Sequence, residues 1–189
     1  MRRIHTARLR LEPVTARNAR ELWTLLNAPD LRKFQDIPRL PVEEFERQVR
    51  SRPRALDRRS TGRFEWLVYA DDPPVPIGWI SLRVNDRAGA IGEIGYSLIT
   101  AARSRGYATE AVGALVDEWF EASELQEIQA CTVPENEASR RVLTRAGFTE
   151  SRTIRSGAVI RGRHVDVVLY RLHRAEWRRM TAGRRQMQS

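Results

Sequence analysis

The sequence predicts an α/β fold of the α+β kind, a single domain on a mixed, mostly antiparallel sheet. Three observations carry that expectation. Residues 91–120 (IGEIGYSLITAARSRGYATEAVGALVDEWF) read as a strand, a tight arginine-glycine turn and a long helix. Ahead of them, residues 64–70 and Pro76–Val84 are strand-like runs joined by turn residues, the pattern of an antiparallel meander. Behind them, residues 127–133 form a strand reached only through the helix, which makes it a parallel neighbour of the central strand.

The elements follow in order. Residues 6–13 alternate and read as a strand with Leu9 and Leu11 inward. Thr15 is the expected cap of a helix to about Asn27, whose face holds Ala19, Leu22, Leu25 and Leu26. Ala28-Pro29-Asp30 stops it. Residues 31–41, with Phe34, Ile37 and two prolines, read as a shaped loop, Val42–Arg50 as a short helix, and 51–62 as a polar, basic, mobile segment. The turns Asp71-Asp72-Pro73-Pro74 and Asn85-Asp86-Arg87-Ala88-Gly89 flank the second meander strand. The central strand runs from Ile91 to about Ile99. In the central helix Ala108, Ala111, Val112, Leu115, Val116, Trp119 and Phe120 recur three and four apart on one face, with Glu110, Asp117 and Glu118 mostly off it. Residues 136–146 are a helix stopped by Gly147, and 148–155 with 159–172 a hairpin around Ser156-Gly157. Residues 1–177 are assigned to the domain and 178–189 to a basic, frayed tail.

A chain of 189 residues with 41% hydrophobic and 30% charged content suits one soluble globular core. No run approaches about 20 uninterrupted apolar residues, so no membrane span is expected. No apolar run follows Met1-Arg2-Arg3-Ile4-His5, so no secretory signal is expected. The lone Cys131 excludes an internal disulfide framework and fits a reducing cytosol, so the expected location is cytoplasmic. The net charge is +9, and Lys33 is the one lysine among the basic residues. Codon bias in a GC-rich genome would produce such a surplus of arginine. A polyanionic ligand, an acidic protein substrate or nucleic acid would use it. The arginines are spread along the chain rather than gathered on one helix face, so nucleic acid is not expected as the primary partner.

In the turn Arg103-Ser104-Arg105-Gly106-Tyr107-Ala108, a helix opens directly after a glycine. Its first backbone N–H groups point outward with the positive dipole end behind them. Gly106 lets an anion approach the backbone, and Arg103 and Arg105 add permanent charge. The turn fits a phosphate cradle, and equally an ordinary strand-to-helix connection with solvated arginines.

Arg103-x-x-Gly106-x-Ala108 matches the Arg/Gln-x-x-Gly-x-Gly/Ala pyrophosphate loop of the GNAT superfamily of acyl-CoA N-acyltransferases. Glu93-Ile94-Gly95-Tyr96-Ser97-Leu98 and Tyr107-Ala108-Thr109-Glu110-Ala111 resemble its RimJ/RimL-type branch, which acetylates N-termini of ribosomal proteins. Asn136-x-x-Ser139-x-x-Val142-Leu143-x-x-x-Gly147-Phe148 matches that branch's second motif. The resemblance runs from about Thr6 to Trp177. It implies a GNAT-like domain with helices on both sheet faces and a splayed parallel pair that receives the pantetheine arm. It implies acetyl-CoA as co-substrate, no metal, and an amine acceptor such as a ribosomal protein N-terminus, in a monomer or homodimer. Leu98, Ile99 and Thr100 would pair with the pantetheine amides through their backbone. Arg103, Ser104, Arg105, Gly106, Tyr107, Ala108 and Thr109 would hold the pyrophosphate. Asn136 and Ser139 would meet the pantetheine end, with helix capping the alternative role for Asn136. Arg140 and Arg145 would either reach the adenosine phosphate or lie solvated.

Acetyl transfer to an amine needs a held thioester, a stabilised oxyanion, an uncharged amine and a protonated leaving thiolate. Glu93, on an otherwise apolar strand, is the candidate base, and partial desolvation is expected to make it a stronger one. A surface-facing strand residue is the plainer alternative. Many GNAT enzymes place a tyrosine acid where this chain has Leu143; Ser139 is the candidate donor instead, with Tyr96 and Tyr107 in reserve. A backbone N–H near Leu98 or Ile99 would meet the oxyanion. Neutralising a lysine amine at pH 7 costs about 4.6 kcal/mol, an N-terminal α-amine about 1–1.4 kcal/mol. A single water-relayed carboxylate fits the easier amine. Small-molecule amines (antibiotics, polyamines, amino acids) stay open as acceptors. So do a non-catalytic acyl-CoA-binding module and an RNA- or ribosome-associated one. Cys131 is expected in the core, His5, His164 and His173 lack metal spacing, and Trp66, Trp79 and Phe34 are candidates for either the core or an acceptor pocket.

Overall fold

The structure, a computed structural model, describes residues 1–32, 34, 39–55, 57, 61–71, 75–85 and 91–186. Most of the turns expected at 71–74 and 85–89, and parts of the loops at 31–41 and 51–62, lie outside the described residues.

Eight strands form one sheet: β1 (Ile4–His5), β2 (Leu9–Pro13), β3 (Gly62–Ala70), β4 (Pro76–Val84), β5 (Ile91–Leu98), β6 (Glu127–Thr132), β7 (Thr149–Ile160) and β8 (Arg163–His173). Their order is β1-β2-β3-β4-β5-β6-β8-β7. Every described pairing is antiparallel except β5 with β6. The expected mixed sheet and parallel pair are thus present. Strand β3 is buried from Phe64 to Ala70, because helices cover both faces and its apolar run is continuous.

On one face lie α1 (Ala19–Leu26) and α2 (Val42–Arg50), whose Leu22, Leu25, Phe45 and Val49 meet Leu67, Tyr69 and Trp79. On the other lie α3 (Tyr107–Ala122), α4 (Glu137–Arg145) and α5 (Arg174–Gln186), over a larger core in which the Trp66 and Trp119 rings meet at a tilt of 50°. The central-helix periodicity holds: Ala111, Val112, Leu115, Val116, Trp119 and Phe120 are all buried. Glu118 departs from it, being buried and bonded to Arg2 Nε at 2.6 Å.

Three expectations are corrected. Helix α1 starts at Ala19, not after Thr15, because Asn18 Oδ1 accepts the Thr15 N–H and closes a turn there. The final hairpin turns at Arg161-Gly162, with φ of 52° and 75°, the doubly left-handed geometry of a tight hairpin. Ser156-Gly157 is instead a bulge within β7, where the pairing shifts between Ile154 and Ala158. Where a frayed tail from residue 178 was expected, α5 continues past Trp177 to Gln186, the last described residue. Its root is locked by Arg174, which donates to the carbonyls of Phe120, Ser123 and Leu125 and so satisfies the open end of α3.

Candidate active site

The parallel pair is short. Only Ile91, Gly92 and Glu93 pair with Glu127, Ile128 and Gln129, after which β5 and β6 separate. Beyond that point β5 runs on to Leu98 beside β4 alone, while β6 stays paired with β8. Ile99 donates its N–H to Ile77 at 2.9 Å, so that amide is taken. By the alternation of an antiparallel ladder, Leu98 and Tyr96 turn their backbone groups the other way, into the gap. The Leu98 carbonyl there accepts from Arg103 Nε at 3.0 Å.

A cavity of about 310 Å³ opens on the α3/α4 side of this gap. Its mouth is the start of α3. Gly106 caps that helix with φ of 80°, a conformation a side chain would strain, and the first α-helical bond is Glu110 N–H to Gly106 C=O. The preceding helix-start amides are therefore directed at the cavity entrance. Arg103, Ser104, Gly106, Tyr107, Ala108 and Thr109 line it, with Leu98 on the strand side. Ile99, Thr100 and Arg105, expected in the same role, are not among its lining residues. The loop is braced from behind. Glu110 accepts from Thr6 Oγ1 at 2.6 Å and from the Arg8 N–H at 3.0 Å, and it pairs with the Arg8 guanidinium at 2.6 Å. Arg8 in turn donates to the Arg105 carbonyl and lies over the Tyr107 ring.

Helix α4 forms the far wall. Asn136 caps it, its Oδ1 accepting the Ser139 N–H at 3.2 Å, while the residue also lines the cavity. Ser139 Oγ lies 2.9 Å from the Tyr96 hydroxyl. Burial pushes the Tyr96 phenol well above its ordinary value, and the Ser139 hydrogen bond opposes this. Tyr96 therefore keeps its proton and remains a donor. Arg145 lines the cavity, as does Arg141, which the sequence reading did not single out. Arg140 faces elsewhere, donating to the Tyr170 hydroxyl and to Glu150.

On the opposite face of β5 is a groove of about 520 Å³. Glu93, Gly95, Ser81 and Trp79 line it, and Phe34 lines both the groove and the cavity. Glu93 is exposed, so the expected desolvation is absent. Cys131 is not a core residue but an exposed one on the same groove, where partial enclosure and the Glu93 carboxylate push its thiol pKa up. Trp66 is fully buried core. Trp79 is buried yet borders the groove, and its Nε1 has no hydrogen-bond partner among the described residues. No group of three or more metal-ligating side chains occurs among the described residues, and no described helix is long and apolar enough to cross a membrane.

A cradle of helix-start amides beside a splayed parallel pair agrees with the family signal in the sequence. Residues 8–149 match the acetyltransferase (GNAT) domain. The chain belongs to the GNAT acetyltransferase family. A putative ribosomal N-acetyltransferase, YdaF of Bacillus subtilis, is 37% identical over 100 residues, 53% of this chain and 55% of that relative. The chain thus spans about half the length of that relative in the match. Among solved structures, ribosomal-protein-S5-alanine acetyltransferase from Vibrio fischeri shares the fold with a TM-score of 0.80 and 19% identity, covering 94% of this chain and 99% of that one. RimL, a ribosomal L7/L12 α-N-protein acetyltransferase in complex with coenzyme A, superposes with a TM-score of 0.76 and 17% identity, over 91% and 98%. The likeness to both is one of fold.

Tyr96, a reserve candidate by sequence, joins Ser139 at the cavity wall of this GNAT chain. Its signal was available: in β5 it sits three residues after Glu93, so the two side chains fall on opposite faces.

Proposed function

We propose that this GNAT enzyme moves an acetyl group from acetyl-CoA to a protein N-terminal α-amine by direct attack. The observation that carries the reading is the placement of Glu93 and the Ser139–Tyr96 pair on opposite sides of one gap in the sheet. The groove is the acceptor side and the cavity the cofactor side. The cavity fits its ligand chemically: helix-start amides with Arg103 suit pyrophosphate, and Arg141 and Arg145 suit the further phosphate.

Glu93 takes the proton of the attacking amine, through water, since the carboxylate is solvent-exposed. The amine nitrogen forms the new C–N bond as the C–S bond breaks. The Leu98 N–H, turned into the gap, is the donor placed for the carbonyl oxygen. Ser139 donates a hydrogen bond to the departing sulfur while its Oγ accepts one from Tyr96, which keeps its proton, so the sulfur leaves as a stabilised thiolate that water then protonates. An exposed carboxylate suits the amine that costs about 1–1.4 kcal/mol to neutralise, rather than lysine at about 4.6 kcal/mol. The relatives named for ribosomal proteins support a protein acceptor.

The test is CoA release with a short peptide, followed by mass spectrometry to locate the acetyl group. Acetylation at the α-amine supports the reading. Acetylation confined to lysine, or to small amines only, sinks it.

A further inference from the structure

The acceptor groove carries more positive charge than acetyl transfer uses. A row of directly paired residues crosses it, with Arg63 opposite Arg83 and Arg83 opposite Glu93. Residues so paired share one face, with Cβ atoms about 4.5–5.5 Å apart, and like charges placed this way destabilise a sheet. The Arg63 guanidinium shows it: its pKa is lowered first by burial and then by Arg83, while Glu93 pulls the other way. Glu65, 1% exposed, holds both Arg52 and Arg63. Arg83 makes no ion pair among the described residues. Three guanidiniums thus face one buried carboxylate along the groove, an excess of two positive charges before Glu93 is counted. Beside them sits the buried Nε1 of Trp79, without a hydrogen-bond partner among the described residues, and Arg63 lies over its ring at 5.6 Å.

We propose that the groove selects an acidic acceptor, a peptide N-terminus whose second residue is aspartate or glutamate. The inference rests on the acetyltransferase reading above and names the subclass of acceptor within it. The α-amine lies at Glu93 and the side-chain carboxylate on Arg83, one strand spacing of about 4.8 Å away. That separation is within reach of the second side chain of an extended peptide. A carboxylate there relieves the repulsion between Arg63 and Arg83, whereas a basic second residue adds a third like charge. A free amino acid presents the same two groups closer together, so it is the contrasting source of the same chemistry.

The experiment measures CoA release by the full chain with amidated peptides that differ only at the second residue (Asp, Asn or Lys), and with free aspartate. The expected order of kcat/KM is Asp above Asn above Lys, with an Asp-to-Asn ratio of about five- to tenfold that shrinks as salt is added. Arg83→Lys should keep the ratio, Arg83→Ala bring it near one, and Arg83→Glu reverse the order in favour of Lys. Since Arg83 is exposed, these variants are expected to fold. Equal rates on the Asp and Asn peptides would overturn the inference and leave the enzyme reading standing. So would a ratio that survives Arg83→Glu, or free aspartate outrunning the Asp peptide. No transfer to any acceptor, despite stabilisation by acetyl-CoA, would overturn the α-amine reading and the inference together.

Discussion

The Tyr96 hydroxyl on β5 and Ser139 Oγ on α4 lie 2.9 Å apart at the wall of the cavity between the parted strands and α4. Each has one proton to give, and the Ser139 carbonyl is also within 3.2 Å of the tyrosine. When Tyr96 donates to Oγ, the serine proton is left for the cavity. Ser139→Ala and Tyr96→Phe should each lower kcat by about 10²-fold. Because the two act as a unit, the double variant should lose little more than either single one. Steady-state kinetics of the four enzymes checks this, and additive losses would separate the residues. Since burial holds the phenol proton above its ordinary value, activity should show no loss from tyrosine ionisation below about pH 10.

Glu93 lines the groove and not the cavity. Glu93→Gln should therefore reduce kcat/KM by about 10²–10⁴-fold while acetyl-CoA stabilises the variant as much as the parent. Turnover and thermal unfolding measured on one preparation separate the two effects. Undiminished turnover would remove Glu93 from the mechanism.

Acetyl-CoA at about 100 times its dissociation constant adds ~2.7 kcal/mol, a rise in Tm of roughly 5–10 °C for a chain of this size. Gly106→Val should abolish most of that rise, because the residue must keep a left-handed φ at the helix start. Arg145→Glu should reduce it more than Arg105→Glu does, since Arg145 lines the cavity and Arg105 does not. The reverse ranking would place the phosphates on the loop rather than on α4.

Glu110 ties the edge strand to the phosphate loop. Burial pushes its carboxyl pKa up, but the bonds from Thr6 and Arg8 outweigh this and hold it below the ordinary carboxylate value. A folded value below the unfolded one gives stability that is fully present above the unfolded value of about 4.3 and is lost as pH falls through the folded value. Glu110→Gln should lower Tm at pH 7, and the gap to the parent should close in strong acid. A gap that stays constant with pH would mean that the carboxylate charge contributes nothing.

Much of the fold is legible because burial imposes a period. The three-and-four spacing from Ala111 to Phe120 places the α3 face, and the alternation at Leu9 and Leu11 places an inward strand face. Where two local signals compete, the period does not decide. Ser156-Gly157 and Arg161-Gly162 are both plausible turns. Pairing along β8, itself held by β6 from Glu127 to Thr132, puts the turn at the second and leaves the first as a bulge. Exposure at the groove is equally hidden: Glu93 and Cys131 lie in apolar stretches, yet both open to solvent where the strands part.

By itself the sequence determined what depends on neighbours a few residues apart: the arginine-glycine turn, the helix that opens after it and the family these motifs mark. Tertiary structure alone decided which distant residues meet. The Tyr96–Ser139 pair spans 43 positions. The Arg63-Arg83-Glu93 row depends on the register of three strands. A period-two pattern states which face a side chain takes but not which residue stands opposite, and register follows only when the whole sheet closes on its two cores.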